Sequence, residues 1–392
     1  MASKTLLILD DQVSVAELVA DVAEGCDVKP EITNTFEHFQ KKLAAYSPDF
    51  IILDLVMPGV DGVEVLRFLS QKKCQADIIL MSGCDQKVLN TARTLGRGQG
   101  LSIIGTLQKP INIDDLEGFF TQEKDVEPTL TAEDLTLAIS RKEIVPFYQP
   151  KIDIRDPGLM GVKGVEALAR WHHPTRGLLH PDVIIPLAEE HNLMHALTRT
   201  MIDEVLQDMA QWQGVGLDML VAINIAPTIL TDLHLPDRFA EKTALCKIPN
   251  NRIILEITED AAMEDRQRIS DILTRFRLKG FQLSLDDFGT GYSSLTDLYR
   301  MPFTEIKIDR SFVMDIMNSD EARTINRSIV DLGHNLNLSV CAEGAETQAA
   351  VDYLRKIGCD TVQGFFFAKP LPRDEIIKFI ESFEGRNITN AA

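Results

Sequence analysis

Apolar and polar residues alternate in two rhythms along this chain. Over the first 120 residues, short apolar runs at Thr5–Leu9, Phe50–Leu53, Ile78–Met81 and Leu101–Leu107 are separated by amphipathic stretches such as Ser14–Ala23 and Gly62–Leu69. Short runs of this kind read as buried strands, and the stretches between them as helices with one apolar face. That alternation predicts a parallel sheet covered by helices on both sides. The polar stretch Thr121–Asp134, which contains Pro128 and several acids, reads as a linker.

A longer alternation follows. Strand-like runs occur at Phe147–Ile154, Leu159–Ala169, Met219–Ile225, Arg252–Ile257, Gln282–Leu285, Glu305–Ile308, Ser339–Ala342 and Thr361–Phe367. Helical patterns such as Ile184–Gln211, Arg266–Leu278, Ala322–Leu336 and Gln348–Ile357 separate most of them. About eight strand–helix units in about 250 residues is the rhythm of a (β/α)₈ barrel. The reading is therefore α/β throughout, a doubly wound (βα)₅ flavodoxin-like domain at 1–122 and a TIM-like barrel at 135–385. A linker at 123–134 joins them, and 386–392 form a tail.

Composition narrows the function. Of 392 residues, 59 are Asp or Glu and 40 are Lys or Arg, a net charge of −19. A surface that acidic disfavours a nucleic-acid polymer as partner. No apolar run is long enough for membrane insertion, and Asp10 and Asp11 cut off the first apolar stretch, which reads as a strand and not as a signal peptide. Six scattered cysteines (Cys26, Cys74, Cys84, Cys246, Cys341 and Cys359) form no CxxC pair and fit a reducing cytoplasm.

In the second half, polar residues punctuate the apolar runs about one strand–helix unit apart. They are Glu166, Asn224, Glu256, Asp286 with Asp287, Lys307, Glu343 and Gln363. A barrel gathers the C-terminal ends of its strands around one mouth. Several carboxylates there repel one another unless cations are present, and oxygen-rich sites suit hard ions such as Mg²⁺ or Mn²⁺. Two such ions roughly 4 Å apart can drive an in-line displacement at phosphorus. Lys307 alternates with Ile306 and Ile308 and so points opposite to them, which in a barrel strand is inward.

The motifs in this half have a specific likeness. Residues 166–168 spell Glu-Ala-Leu, DDFGTGYSS runs from Asp286 to Ser294, and YQPK spans Tyr148–Lys151. EITE spans Glu256–Glu259, KID spans Lys307–Asp309, and QGF begins at Gln363. From about 135 to 383 the chain resembles the EAL family of cyclic di-GMP phosphodiesterases. The resemblance implies two metal ions, one bound by Glu166, Asn224, Glu256 and Asp286, the second held by Asp286 and Asp287. It implies that Lys307 and Glu343 position the attacking water, with Lys307 as candidate base. Gln149, Leu168, Arg170 and Gln363 would contact the nucleotide. Glu259 would brace the loop Asp287–Ser294, and Glu346 falls at the family's other structural glutamate. The product would be linear pGpG. A non-catalytic sensor of cyclic di-GMP and a signalling scaffold are the alternative functions.

In the first half, Asp10 and Asp11 close the first strand, Asp54 closes the third, Ser82 the fourth, and Lys109 follows the fifth. This set resembles the response-regulator receiver family. It implies Asp54 as phosphoacceptor, one Mg²⁺ or Mn²⁺ beside it, Ser82 and Lys109 as switch residues, and a histidine kinase as donor. Thr106 stands where that family often carries Tyr or Phe. Both families commonly self-associate, so a homodimer is expected.

Overall fold

The computed structural model describes residues 4–83, 86–121, 130–156, 160–263, 265–289 and 295–390. The chain divides into two compact units after Thr129.

The first unit is a five-stranded sheet. Its strands are β1 (Lys4–Leu9), β2 (Val28–Thr33), β3 (Phe50–Asp54), β4 (Asp77–Ser82) and β5 (Ile103–Gln108), in the order β2-β1-β3-β4-β5. All four pairings are parallel. The central strands are apolar on both faces because both are covered. Helices α1 (Val13–Gly25) and α5 (Ile113–Thr121) pack Val19, Leu116 and Phe120 against Leu6, Ile8 and Ile52. Helices α2 (Phe36–Ala45), α3 (Gly62–Gln71) and α4 (Gln86–Gly98) pack Phe39, Leu66 and Leu89 against Leu7, Ile51 and Leu53. Strand β2, VKPEIT, carried no apolar run to announce it. It is an edge strand, where Pro30 and exposed side chains are tolerated.

The second unit is a closed barrel of eight strands. They are β6 (Ile144–Asp153), β7 (Gly161–His173), β8 (Leu220–Asn224), β9 (Ile253–Thr258), β10 (Gln282–Phe288), β11 (Glu305–Ile308), β12 (Ser339–Ala342) and β13 (Thr361–Val362). Strands β7 to β13 pair in sequence order, all parallel. Strand β6 closes the barrel and runs antiparallel to both β7 and β13. The direct β6–β7 connection carries no helix among the described residues, so the first unit of the barrel departs from the strand–helix rhythm.

Strand alternation then sorts the side chains. Leu255, Ile257, Leu283, Leu285, Ile306, Ile308 and Val340 join the apolar core with the surrounding helices. The residues between them, including Glu256, Ser284, Asp286, Lys307 and Cys341, point to the barrel interior.

Several boundaries differ from expectation. The predicted helix Ile184–Gln211 is two, Pro181–Glu190 and Met194–Gly214, parted where Asn192 takes a left-handed φ of 57°. The run Thr361–Phe367 is a strand only to Val362, and its aromatic residues follow in a turn where Phe365 and Phe366 are exposed. Thr131, placed in the linker, caps a helix at Ala132–Ser140 through a capping box with Asp134. Residues 122–129 of that linker lie outside the described residues. The last helix, Arg373–Asn390, continues into the expected tail. No helix among the described residues is long and apolar enough to cross a membrane.

Candidate active site

The polar residues that interrupt the apolar runs converge inside the barrel. Glu166 lies mid-strand in β7, and Glu256 and Asp286 lie within β9 and β10 rather than at their ends. Asn224 ends β8, and Glu343 and Gln363 follow β12 and β13. Sheet register explains the convergence: Asn224 pairs with Glu256, and Gln149 with Glu166.

Lys307 stands at the centre, 1% exposed. Its Nζ lies 2.6 Å from Glu343 Oε1, 3.1 Å from Asp286 Oδ1, 3.1 Å from Glu256 Oε2 and 3.5 Å from Glu166 Oε2. Burial disfavours the ammonium, but the carboxylates of Asp286, Glu166, Glu256 and Glu343 outweigh it and raise its pKa well above the ordinary lysine value.

The carboxylates are not equivalent. Glu166 Oε1 accepts the side-chain amide of Asn224 at 2.9 Å, and Oε2 accepts that of Gln363 at 2.5 Å. Burial pushes Glu166 up, yet the Lys307 charge and the two amide donors hold it down at about 2. Glu256, 1% exposed, is raised well above the usual range by burial and by the charge of Glu166. Burial pushes Glu343 up to about 8 despite Lys307. Asp287 is pushed up to about 6 by burial and by Asp286. Asp287 also holds a φ of 56°, at a break in the β10–β11 register between Leu285 and Phe288.

Oxygens of Asp286, Asp287 and Glu343 all lie within 4.8 Å of one another. No hydrogen-bond donor is directed at the buried Glu256 Oε2, although Lys307 Nζ is nearby. A hard-oxygen set of this kind fits a divalent cation.

Around this ring, the nucleotide candidates occupy one side. Gln363 Nε2 donates to Gln149 Oε1 at 2.9 Å, and Gln149 Nε2 donates to the Ala368 carbonyl at 3.1 Å. Leu168 and Arg170 follow Glu166 at two-residue steps on the same face of β7. The guanidinium of Arg170 lies 5.6 Å from the centre of the Phe147 ring. Glu259, buried at the start of a short helix after β9, accepts the Gly289 N–H at 2.9 Å. Glu346 is exposed and makes no hydrogen bond or ion pair among the described residues. Thr290 to Ser294, the rest of the expected loop, lie outside the described residues.

Sequence reasoning assigned no role to Lys151 and Glu305, which lie buried beneath the ring. The available signal was spacing: Lys151 stands two residues from Gln149, and Glu305 two from Lys307, on the same strand faces.

The first unit gathers its own set. Lys109 Nζ lies 2.8 Å from Asp10 Oδ2 and 2.6 Å from Asp54 Oδ2. Asp54 Oδ1 accepts the Val56 N–H at 3.1 Å, and Ser82 is buried at the end of β4. Oxygens of Asp10, Asp11 and Asp54 lie within 4.8 Å of one another, and Asp11 Oδ1 is buried without a hydrogen-bond partner. Burial raises Asp10 above the ordinary aspartate value, against the pull of Lys109. Thr106 lies on β5, paired with Leu80 and partly exposed.

Comparison with known proteins agrees with this arrangement. Residues 132–370 match the EAL domain family, and residues 6–120 match the response regulator receiver domain. The bifunctional diguanylate cyclase/cyclic di-GMP phosphodiesterase MucR of Pseudomonas aeruginosa is 36% identical over 62% of this chain. This chain covers only 35% of that relative's length. The cyclic di-GMP phosphodiesterase RocR of the same organism is 29% identical over 84% of this chain and 86% of its own. A solved structure of the MucR phosphodiesterase in complex with c-di-GMP superposes with a TM-score of 0.59 at 36% identity, over 62% of this chain and 98% of that one. An acidic ring inside a closed barrel and an aspartate trio at the ends of a parallel sheet thus sit in two recognised domains, and the chain belongs to the EAL family, joined to a response-regulator receiver domain.

Proposed function

We propose that the barrel hydrolyses cyclic di-GMP to linear pGpG and that phosphorylation of Asp54 modulates its rate. The observation that carries this reading is the ring itself: Glu166, Asn224, Glu256, Asp286, Asp287 and Glu343 around one buried lysine. Glu166, Asn224, Glu256 and Asp286 would hold one Mg²⁺ or Mn²⁺, and Asp286 with Asp287 a second. Bound there, the two cations supply Lewis acidity to the phosphoryl oxygens and lower the pKa of water.

The chain's own groups do the rest. Gln149, Leu168, Arg170 and Gln363 line one side of the mouth and hold the nucleotide, with Arg170 offering a fork of donors to phosphate. Lys307 keeps its proton among four carboxylates, so it donates to the attacking water rather than serving as its base. Glu343, 2.6 Å from Lys307, receives the water proton. The water oxygen bonds to phosphorus as its proton passes to Glu343, the P–O3′ bond breaks, and the 3′ oxygen takes up a proton from solvent, to which Glu343 later returns its own. Glu259 holds Gly289, and with it the start of the loop that follows Asp287.

In the receiver, Asp54 accepts the phosphoryl group from a histidine kinase, beside one divalent cation held with Asp10 and Asp11. Ser82 and Lys109 then bind the new charge. The reading is of a cytoplasmic homodimer that neither binds a nucleic-acid polymer nor inserts in a membrane. The test is pGpG production by the purified full-length chain in Mg²⁺ or Mn²⁺, with and without beryllofluoride. Absence of turnover in both metals would defeat the hydrolytic reading. Turnover insensitive to beryllofluoride would defeat the regulatory one.

A further inference from the structure

Beneath the carboxylate ring lies a second buried cation. Lys151, on the antiparallel strand β6, is 2% exposed. Its Nζ donates to Glu305 Oε1 at 2.6 Å and to Glu256 Oε1 at 3.4 Å. Glu305, 3% exposed, also accepts the Ser284 hydroxyl at 3.1 Å. Glu256 is thereby held between two lysines, one on each oxygen: Lys151 at Oε1 and Lys307 at Oε2.

Pairing with Glu305 alone does not account for this arrangement. A buried ion pair can commonly be replaced by apolar residues without loss of stability. The carboxylate of Glu256 turns on a terminal torsion that is broad and two-fold. A donor at Oε1 pins that torsion and leaves Oε2 to the carboxylate ring, 3.1 Å from Lys307 Nζ. Groups that orient a metal-binding side chain in this way typically carry 10–100-fold in metal affinity.

We infer that Lys151 is a positioning residue, anchoring Glu256 from below through Oε1 so that Oε2 is presented to the ring. The inference rests on the reading of Glu256 as a metal ligand. Lys151 touches neither nucleotide nor reacting atoms, and its effect passes through Glu256.

The decisive variant is the full-length double substitution Lys151→Met/Glu305→Gln, compared with Glu305→Gln alone. The double variant removes one charge of each sign, so the net charge beneath the ring is unchanged; Lys163, 3.9 Å from Glu305, loses its partner in both variants, and the Lys151 anchor is lost only in the double one. The single variant keeps the anchor and leaves Ser284 a partner at position 305. Mn²⁺ binding is measured by calorimetry without nucleotide, alongside the Mn²⁺ dependence of turnover and the KM for cyclic di-GMP.

The expected result is a Mn²⁺ affinity about 10–100-fold weaker in the double variant and close to wild type in Glu305→Gln. KM for cyclic di-GMP stays unchanged, and turnover returns toward wild type at saturating Mn²⁺. A folded double variant with wild-type Mn²⁺ affinity overturns the inference, because Lys151 would then serve only to neutralise Glu305. A double variant that cannot fold while Glu305→Gln folds also overturns it, making Lys151 a residue of the core. Wild-type protein that binds no Mn²⁺ would defeat the metal reading of the ring itself, a failure separate from these two.

Discussion

Buried Lys307 and partly buried Glu343 form an ion pair, Nζ to Oε1 at 2.6 Å, at the point where four carboxylates crowd one barrel mouth. The same ammonium reaches Asp286, Glu256 and Glu166 within 3.5 Å. One cation therefore screens a cluster that would otherwise hold itself apart by repulsion. The consequences can be measured separately for stability and for catalysis.

Replacing Lys307 by Met removes that screen. Breaking a buried pair by deleting one partner costs about 3–5 kcal/mol. The metal-free Lys307→Met variant should melt at lower temperature than wild type, and Mn²⁺ should recover much of the difference by supplying positive charge. Its turnover, followed as pGpG formation, should fall by about 100-fold or more even at saturating Mn²⁺. Retention of full turnover would remove Lys307 from the chemistry.

The metal-free protein should show a stability optimum near pH 5. Glu343 is raised from 4.5 to about 8, and Asp287 from 3.8 to about 6. Between the unfolded and folded values the native state holds protons that the unfolded chain has released, so stability falls as pH rises through that window. Glu166 acts oppositely: lowered from 4.5 to about 2, it contributes stability above its unfolded value that is lost as pH falls toward 2. Thermal melts in chelator from pH 3 to 9 test both limbs, and a curve that climbs steadily from pH 5 to 8 would contradict the assignment.

Metal binding should release protons near neutral pH. Ligand carboxylates must be ionised to bind, so affinity rises with pH while any of them is protonated. Mn²⁺ calorimetry at pH 7 in two buffers of different ionisation enthalpy should give different apparent heats. Equal heats would mean that Glu343 and Asp287 are already ionised.

Glu259 should act on turnover more than on folding. Its Oε2 accepts the Gly289 N–H at 2.9 Å, three residues beyond Asp286. Glu259→Ala should lower kcat/KM by about 10-fold or more with a small change in melting temperature. Glu259→Gln, which keeps an acceptor but loses the charge, should fall between that variant and wild type. Equal activity of all three proteins would show that the contact does not matter.

Asp54→Ala should leave Mn²⁺-dependent basal pGpG formation within a few-fold of wild type while abolishing the response to beryllofluoride. Lys109→Met should blunt the same response, since Lys109 Nζ lies 2.6 Å from Asp54. A response that survives Asp54→Ala would place the effector elsewhere.

Much of the architecture was legible because local pattern and tertiary role agree. Asp54 stands out by closing the apolar run FIIL, and Lys307 by interrupting the apolar run between Ile306 and Ile308. Strand β2 was illegible because an edge strand carries no continuous apolar signal. The split at Asn192 was hidden because both helices present an apolar face to the same core. Glu346 matched its motif by position, yet it is exposed and unpaired among the described residues.

By itself the sequence determined the two domains, most of the alternation of strands and helices, and the carboxylates and lysines that interrupt the apolar runs. Only the tertiary structure decided that β6 runs antiparallel and which oxygen of each carboxylate faces which partner. Lys151, Glu256 and Glu305 lie 49 to 154 positions apart in the chain. Nothing local to any of them says that they touch. They meet because β6 closes the barrel between β7 and β13, which turns one face of every strand toward a shared interior.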